Sequence, residues 1–222
     1  TLADYAEDVR SVVHHLRDRA DVDERRIAVV GYGESGWVAM LAAAKERRIT
    51  ALGLVAAPST RGVEFVLEQQ RQMLVRMEIS DEESLRKMEL QRRIHDAVMT
   101  GDGWDDIPPD MRKQADTPWF SSYLNFWPAD IIQDLRQPMV VIHGGLDRQI
   151  VPGHADRLLE MGLARDRRVP TELVRFDALN HLLVPAVTGE TNEYPTLEKR
   201  TVSAELIAVL GERLHKVMPS RR

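Results

Sequence analysis

The sequence predicts an α/β fold, in which helices flank a parallel sheet and a helical insertion interrupts it. Four short runs rich in branched or alternating apolar residues predict strands: Ile27–Val30, Ala51–Ala56, Met139–Ile142 and Glu172–Phe176. Helical patterns lie between them, and the first strand, turn, helix and second strand form a βαβ unit. A segment without proline, rich in Glu, Gln, Arg and Met, separates the second and third strands.

The composition is that of a globular protein of one large domain or two small ones. The 222 residues are 43% hydrophobic and 29% charged. The net charge of −5 predicts no nucleic-acid partner, and the longest apolar run, Ala51–Pro58, is too short for a transmembrane segment. Without cysteine the chain has no disulfide, thiolate nucleophile or cysteine-ligated metal. We therefore expect a soluble protein and leave its compartment open.

The helical patterns set the expected organisation. Apolar spacing predicts a first helix that ends near Ala20, and the other core helices are expected at Trp37–Lys45, Gly153–Met161 and Val202–His215. Residues Gly62–Met99 supply apolar positions for two or three helices, and the proline-rich stretch Asp102–Pro118 is expected to be a loop. We predict an α/β core at 1–60 and 129–222, with a helical cap insertion at 61–128.

Polar residues follow three of the predicted strands. A glycine-rich turn, Gly31–Trp37, follows the first strand, His143–Pro152 follows the third and Asp177–Leu183 follows the fourth. Ligands bind at the carboxyl ends of parallel strands, so these segments are expected to share one edge. In chain order they supply a turn, then an acid, then a histidine.

These motifs resemble the α/β-hydrolase superfamily, in particular bacterial serine esterases and peptidases of the acyl-aminoacyl-peptidase and dienelactone-hydrolase-like branch. The resemblance runs from the first helix to the last and includes Leu67-Glu68-Gln69-Gln70 and Thr117-Pro118-Trp119-Phe120. The family's Gly-x-x-Asp-x-x-Val-Pro motif is matched around Asp147 with one extra residue before Val151-Pro152, and its Leu-Asn-His-Leu motif is met at His181. The resemblance implies that Asp147 orients His181 as the general base, that the Glu34 N–H is an oxyanion-hole donor, and that no cofactor takes part.

The nucleophile position departs from the family pattern. Members typically read Gly-His-Ser-Glu-Gly-Gly at this turn, and the alignment puts Gly33 where the serine stands. Ser35 is an alternative nucleophile only if the frame slides by two residues. Trp37 would then replace a glycine needed for close packing, so Ser35 is better interpreted as a residue that caps backbone N–H groups. The expected function is ester or peptide hydrolysis on a framework that lacks its nucleophile, by nature or by replacement.

Other interpretations stay open. The protein is alternatively a pseudo-hydrolase that binds a ligand or partner without catalysis. More remotely, Gly31, Gly33 and Gly36 match a dinucleotide fingerprint, but no acidic residue ends the next strand. Tyr32, Trp119 and Phe120 are candidate walls of a substrate pocket. We predict no metal site, because His143, His154 and Glu172 lack ligand spacing.

The resemblance also implies that this is the C-terminal portion of the fold. A hydrolase sheet normally has about eight strands, of which four are predicted here, and the loop that carries the second oxyanion donor follows an earlier strand of that sheet. The chain opens at Thr1, inside an amphipathic helix. Because a long open sheet edge is avoided in soluble proteins, we expect an N-terminal segment, cleaved or separate, to cover it. Alternatively, two copies pair as a homo-oligomer.

Overall fold

Four parallel strands form the sheet in the computed structural model, which describes residues 1–166, 168–198 and 200–220. The strands are β1 (Ile27–Tyr32), β2 (Ile49–Val55), β3 (Met139–Gly144) and β4 (Thr171–Phe176), side by side in chain order. This confirms the predicted α/β class. Strands β1 and β3 run two residues beyond their apolar runs, because Tyr32 pairs with Val55 and Gly144 with Phe176. The polar motifs thus begin inside the sheet.

Helices account for much of the remaining described chain. They are α1 (Leu2–Arg17), α2 (Ser35–Lys45), α3 (Gly62–Arg76), α4 (Asp81–Thr100), α5 (Pro109–Ala115), α6 (Pro118–Asn125), α7 (Pro128–Ile132), α8 (Gly153–Leu163) and α9 (Ala204–Val217). None of the helices in the described ranges has both the length and the apolar character that a membrane crossing needs.

Two local predictions were wrong. The first helix ends at Arg17 rather than near Ala20. The stretch from Asp102 to Pro118 is not simply a loop, because it contains α5 and a 3₁₀ turn at Trp104–Asp106. Proline favours the first helical turn, where its missing N–H costs nothing, and Pro109 occupies that position in α5. The prolines that indicated a loop therefore start a helix instead.

Helices cover both faces of the sheet. On one face, Ala51 and Val55 of β2 belong to a buried cluster that includes Leu206 and Leu214 of α9. Successive strand residues point to opposite faces, and Leu54 accordingly lies on the other face, toward α2. Full burial of β3 is what a strand covered on both faces requires.

The described chain divides into two compact units. The first, here called the helical unit, is Thr1–Ala3 with Thr60–Trp127; the second, the sheet unit, is Asp4–Ser59 with the chain from Pro128 onward. The helical unit has its own core of Ile94, Ala97, Trp104, Ile107 and Ala115. Its two ends meet, because the Gly62 N–H donates to the Phe126 carbonyl at 2.9 Å.

A buried histidine lies within the helical unit. His95 is 1% exposed and packs edge-on against Phe120, with ring centroids 5.9 Å apart. The Gln91 carboxamide nitrogen lies 2.9 Å from its Nε2, and its Nδ1 has no hydrogen-bond partner in the described chain. Burial lowers the pKa of His95 to about 4, although the nearby Asp96 acts in the opposite direction. The neutral ring is therefore part of this core.

This histidine predicts an acid-sensitive helical unit. The unfolded chain takes up a proton near the ordinary pKa of about 6.5, whereas folded His95 resists it until about pH 4. The free energy of unfolding is therefore expected to decrease as the pH falls below 6.5, by about 2–3 kcal/mol at pH 4.5. Urea unfolding at pH 7 and 4.5 should show a smaller pH-dependent loss in His95→Gln. An equal loss in both proteins would contradict this assignment.

Candidate active site

A sharp turn joins β1 to α2. Gly33, at its apex, has φ +59°, and a Cβ added there would meet nothing within 4 Å. Its N–H donates to the Val55 carbonyl at 2.9 Å, which ties the apex to the end of β2. Added Cβ atoms at Gly31 and Gly36 would instead lie 2.4 Å from the Ser35 carbonyl and 2.6 Å from Ala57. The turn is therefore tightly packed on both sides and open at its apex.

Ser35 is the first residue of α2 and is engaged by the strand end. Its hydroxyl donates to the Tyr32 carbonyl at 2.6 Å and accepts from the Tyr32 N–H at 3.1 Å. The expected capping of backbone N–H groups thus occurs at β1 rather than at the helix start. Both hydrogen bonds hold the hydroxyl against the turn, which disfavours Ser35 as a nucleophile.

Asp147 follows β3 and is fully buried. Its Oδ1 accepts the Gln149 and Ile150 N–H groups at 2.9 and 2.8 Å, and its Oδ2 faces Nδ1 of His181 at 2.9 Å. A carboxylate that accepts from two backbone amides has a fixed orientation. Asp147 is therefore rigidly aimed at the histidine.

The loop that follows β3 and carries Asp147, here called the acid loop, packs backbone to backbone against the loop that follows β4 and carries His181, here called the histidine loop. The Leu146 N–H donates to the Leu179 carbonyl and the Gly145 N–H to the Phe176 carbonyl, each at 2.9 Å. A Cβ at Gly144 would lie 2.3 Å from the Leu179 carbonyl oxygen, closer than real atoms approach. Glycine is required there, because only a residue without a side chain lets the loops come close enough for Asp147 to reach His181.

His181 is held through both its side chain and its backbone. The carboxylate of Asp147 fixes the proton on Nδ1, which leaves the Nε2 lone pair as a base. The imidazole side chain is 14% exposed, so it is accessible from one side. Tyr32 adds a second restraint: its hydroxyl donates to the His181 carbonyl at 2.6 Å, and its ring centroid lies 5.1 Å from the imidazole. Desolvation, followed by the charge of Asp147, raises the pKa of this phenol.

His143 is buried against the acid loop and is hydrogen-bonded to its backbone, a role that the sequence did not predict. The side chain is 1% exposed, and its Nε2 donates to the Ile150 carbonyl at 2.7 Å while lying 3.7 Å from Asp147 Oδ2. Burial lowers the pKa of His143, so the ring is neutral and closes the loop around Asp147. Its position directly before Gly144-Gly145 is the only signal in the sequence.

The remaining predicted site residues occupy different surroundings. Glu34 follows the apex at the start of α2; its side chain is exposed, and partial desolvation raises its pKa. Trp119 and Phe120 belong to the helical unit, where they line a cavity of about 390 Å³ with Gln91, Ile94, Met111, Gln114 and Ala115. A pocket role for both rings stays a prediction.

Across residues 1–166, 168–198 and 200–220, no three His, Asp or Glu side chains converge as metal ligands would.

Comparisons with known proteins identify the family and the fold of the chain. A profile described as the Alpha/beta hydrolase family matches residues 1–190. Esterase EstD of Thermotoga maritima is 30% identical over 193 residues, which are 85% of this chain and 42% of that esterase. The chain thus spans less than half the length of this relative.

Two solved structures are similar in fold. The Pyrococcus furiosus esterase Pf2001 has a TM-score of 0.55 at 15% identity, over 96% of this chain and 61% of its own. A Mycobacterium tuberculosis puromycin-hydrolyzing peptidase has a TM-score of 0.53 at 16% identity, over 98% and 26% of the two chains. At such low identity these similarities concern the fold alone.

Proposed function

Because this chain belongs to the alpha/beta hydrolase family, we propose that its Asp147–His181 pair serves a hydrolase-type site for carboxylic esters or peptides. The observation that carries the proposal is the 2.9 Å hydrogen bond between the two side chains, with Nε2 of His181 left as a base. In the proposed mechanism Asp147 stabilises the imidazolium that forms when His181 takes a proton. The Glu34 N–H is the proposed donor to the oxyanion.

Gly33 is the proposed nucleophile position. Its apex location supports this assignment, and so does its φ of +59°, since the nucleophile of this fold sits on a strained strand-to-helix turn. Without a hydroxyl no acyl-enzyme can form. The only hydrolysis left to the pair is direct activation of water, so we expect the chain to be inactive or nearly so toward esters.

Reaction with a fluorophosphonate probe tests this function. The chain itself should stay unlabelled, whereas Gly33→Ser should react at the new serine, because the apex has space for a side chain. The same variant is to be tested in a longer chain that supplies a strand beside β1. Labelling of the unaltered chain at Ser35 would overturn the proposal, as would failure of Gly33→Ser to react in both forms.

Gly33→Ala is the matched control for this experiment. It introduces the same Cβ in the left-handed region, at an expected cost of about 1–3 kcal/mol, but brings no hydroxyl. It should fold with the stability of Gly33→Ser and remain unlabelled. Labelling of Gly33→Ala would show that the probe reacts elsewhere.

A non-catalytic binding role is the second candidate. Glycine adopts a φ of +59° without strain, so Gly33 favours a stable, inert turn over a reactive one. In this case the sheet edge that carries His181 binds a ligand or partner without hydrolysing it, and buried Asp147 only orients the imidazole. If the natural gene encodes serine at position 33, this candidate fails.

We also propose that a strand from outside the described residues pairs with β1. Within the described ranges β1 pairs with β2 alone, and Val30 is 46% exposed on it. An open edge with apolar side chains is prone to pairing with another strand. An upstream segment of the same fold is the proposed partner, and edge-to-edge pairing of two copies is the alternative. Sedimentation of the isolated chain distinguishes them, since only the second produces a dimer.

A further inference from the structure

A buried polar cluster lies in the sheet unit, apart from the Asp147–His181 pair. It consists of Ser59, which follows β2, and of His154 and Arg157 on α8. Ser59 is 1% exposed and His154 is fully buried, whereas Arg157 is only partly buried. His154 and Arg157 are three positions apart, so they share one face of the helix.

Hydrogen bonds hold one side of the Arg157 guanidinium. Its Nε–H donates to Oγ of Ser59 at 2.9 Å, and its Nη2 lies 3.3 Å from Nδ1 of His154. That same Nδ1 accepts the Ser59 backbone N–H at 3.0 Å, so it carries a lone pair and no proton. Both partners of Arg157 are therefore neutral.

The terminal nitrogens of the guanidinium carry donors that Ser59 and His154 do not use. A guanidinium has five N–H donors, and Ser59 and His154 engage only the side that carries Nε and Nη2. The remaining end-on pair, one N–H on each terminal nitrogen, has the geometry that donates two parallel hydrogen bonds to a carboxylate. Within the described ranges no carboxylate lies within 4.0 Å of Arg157, and neighbouring Asp156 pairs with Arg175. A partly buried cation is thus pre-oriented without a counter-ion from the described chain.

The cluster belongs to the same sheet edge as the turn at Gly33. Gly33 is hydrogen-bonded to Val55, the last residue of β2, and Ser59 lies four residues further along. An extended chain covers at most about 3.6 Å per residue, which keeps Ser59 within roughly 20 Å of Gly33. A ligand no longer than a short peptide can reach both.

We propose that Arg157 binds a free carboxylate on the ligand, and that the hydrolase-type site therefore takes esters or peptides that carry a second, ionised carboxyl group. Ser59 and His154 are positioning residues that aim the terminal nitrogens. The part of this inference that concerns substrates rests on the proposed function, whereas carboxylate binding itself does not. A bidentate charged contact at a single arginine is expected to bind acetate with a Kd on the order of millimolar.

Acetate titration of the unaltered chain tests the binding step. The backbone amide resonance of Ser59 is the reporter, because this N–H group donates a hydrogen bond to His154 beside the guanidinium. It should shift saturably with acetate and not with acetamide, which has the same shape without the charge. Arg157→Gln should weaken acetate binding at least tenfold, and Ser59→Ala severalfold, since the charge stays but its anchor is lost.

Arg168→Gln is the matched control, because it removes the same charge from an exposed side chain that pairs with Asp166. It should bind acetate as the unaltered chain does, and urea unfolding should show that all variants are folded. Equal binding by folded Arg157→Gln would overturn the proposal. A response to inorganic phosphate without one to acetate would also overturn it, since that result points to a phosphate site.

The substrate step is tested in Gly33→Ser with p-nitrophenyl monoesters of dicarboxylic acids, from succinic to dodecanedioic acid, each compared with the uncharged fatty-acyl ester of the same length. Addition of Arg157→Gln should raise KM at least tenfold for the dicarboxylate whose length spans the two sites and leave its uncharged counterpart unchanged. Equal effects on charged and uncharged esters at every length would overturn the substrate assignment. If Gly33→Ser has no activity while acetate still binds at Arg157, the proposed function fails and the carboxylate site stands.

Discussion

Replacing Asp147 with asparagine is expected to lower the rate of fluorophosphonate labelling in Gly33→Ser by about 10³–10⁴-fold. The amide oxygen of asparagine can still accept the Gln149 and Ile150 N–H groups. The NH₂ group of the asparagine would then face Nδ1 of His181. It would replace the carboxylate oxygen Oδ2, which accepts a hydrogen bond from Nδ1 in the unaltered chain. The imidazole would move its proton to Nε2 and lose the lone pair that activates the nucleophile.

The tautomer change can be measured in the chain as it stands. ¹⁵N chemical shifts of the His181 ring should indicate protonated Nδ1 in the unaltered chain and protonated Nε2 in Asp147→Asn. Asp134→Asn is the control, because Asp134 is exposed and its substitution changes the net charge by the same amount as Asp147→Asn. If Asp147→Asn keeps both the tautomer and the labelling rate, Asp147 does not orient His181.

Gly144→Ala is expected to destabilise the sheet unit by about 3 kcal/mol. The added methyl would lie 2.3 Å from the Leu179 carbonyl oxygen and 3.1 Å from that of Asn180. Both contacts involve backbone atoms, which have no alternative rotamer. The histidine loop must therefore move away from the acid loop, and this lengthens the 2.9 Å contact between Asp147 and His181.

Gly211→Ala provides the comparison in the same unit. Gly211 lies within α9, and a Cβ there would meet nothing within 4 Å. Alanine in a helix interior is more stable than glycine by up to about 1 kcal/mol, so this variant should be stabilised. Urea unfolding of both variants measures the difference. Equal stability of Gly144→Ala and the unaltered chain would show that the two loops do not require this close approach.

The strands and the site motifs were predictable because their signals are local. Branched apolar runs indicated β1 to β4, and the spacing around Asp147 and His181 indicated two loops at one sheet edge. The boundaries were less predictable, since Gly144 pairs with Phe176 even though glycine disfavours strands. Helix α5 was missed because prolines on both sides of its start indicate a break as readily as a first turn.

The supporting contacts were not predictable, because they join residues far apart in the chain. The Tyr32 hydroxyl reaches the His181 carbonyl across 149 positions, and Arg157 reaches Ser59 across 98. His143 acts on the carbonyl of Ile150, seven positions away, only because the loop folds back over it. No periodicity or composition encodes such distances, which depend on how loops at one sheet edge are arranged.

The hydrogen bond between Gly62 and Phe126 has a consequence for folding kinetics. Pairing of β2 with β3 must bring together residues that are 87 positions apart, such as Leu52 and Met139, and the entropy of loop closure opposes this. If the helical unit forms first, its joined ends shorten the effective loop to about 20 positions and lower the cost by about 1 kcal/mol. The insertion would then slow assembly of the sheet far less than its length suggests.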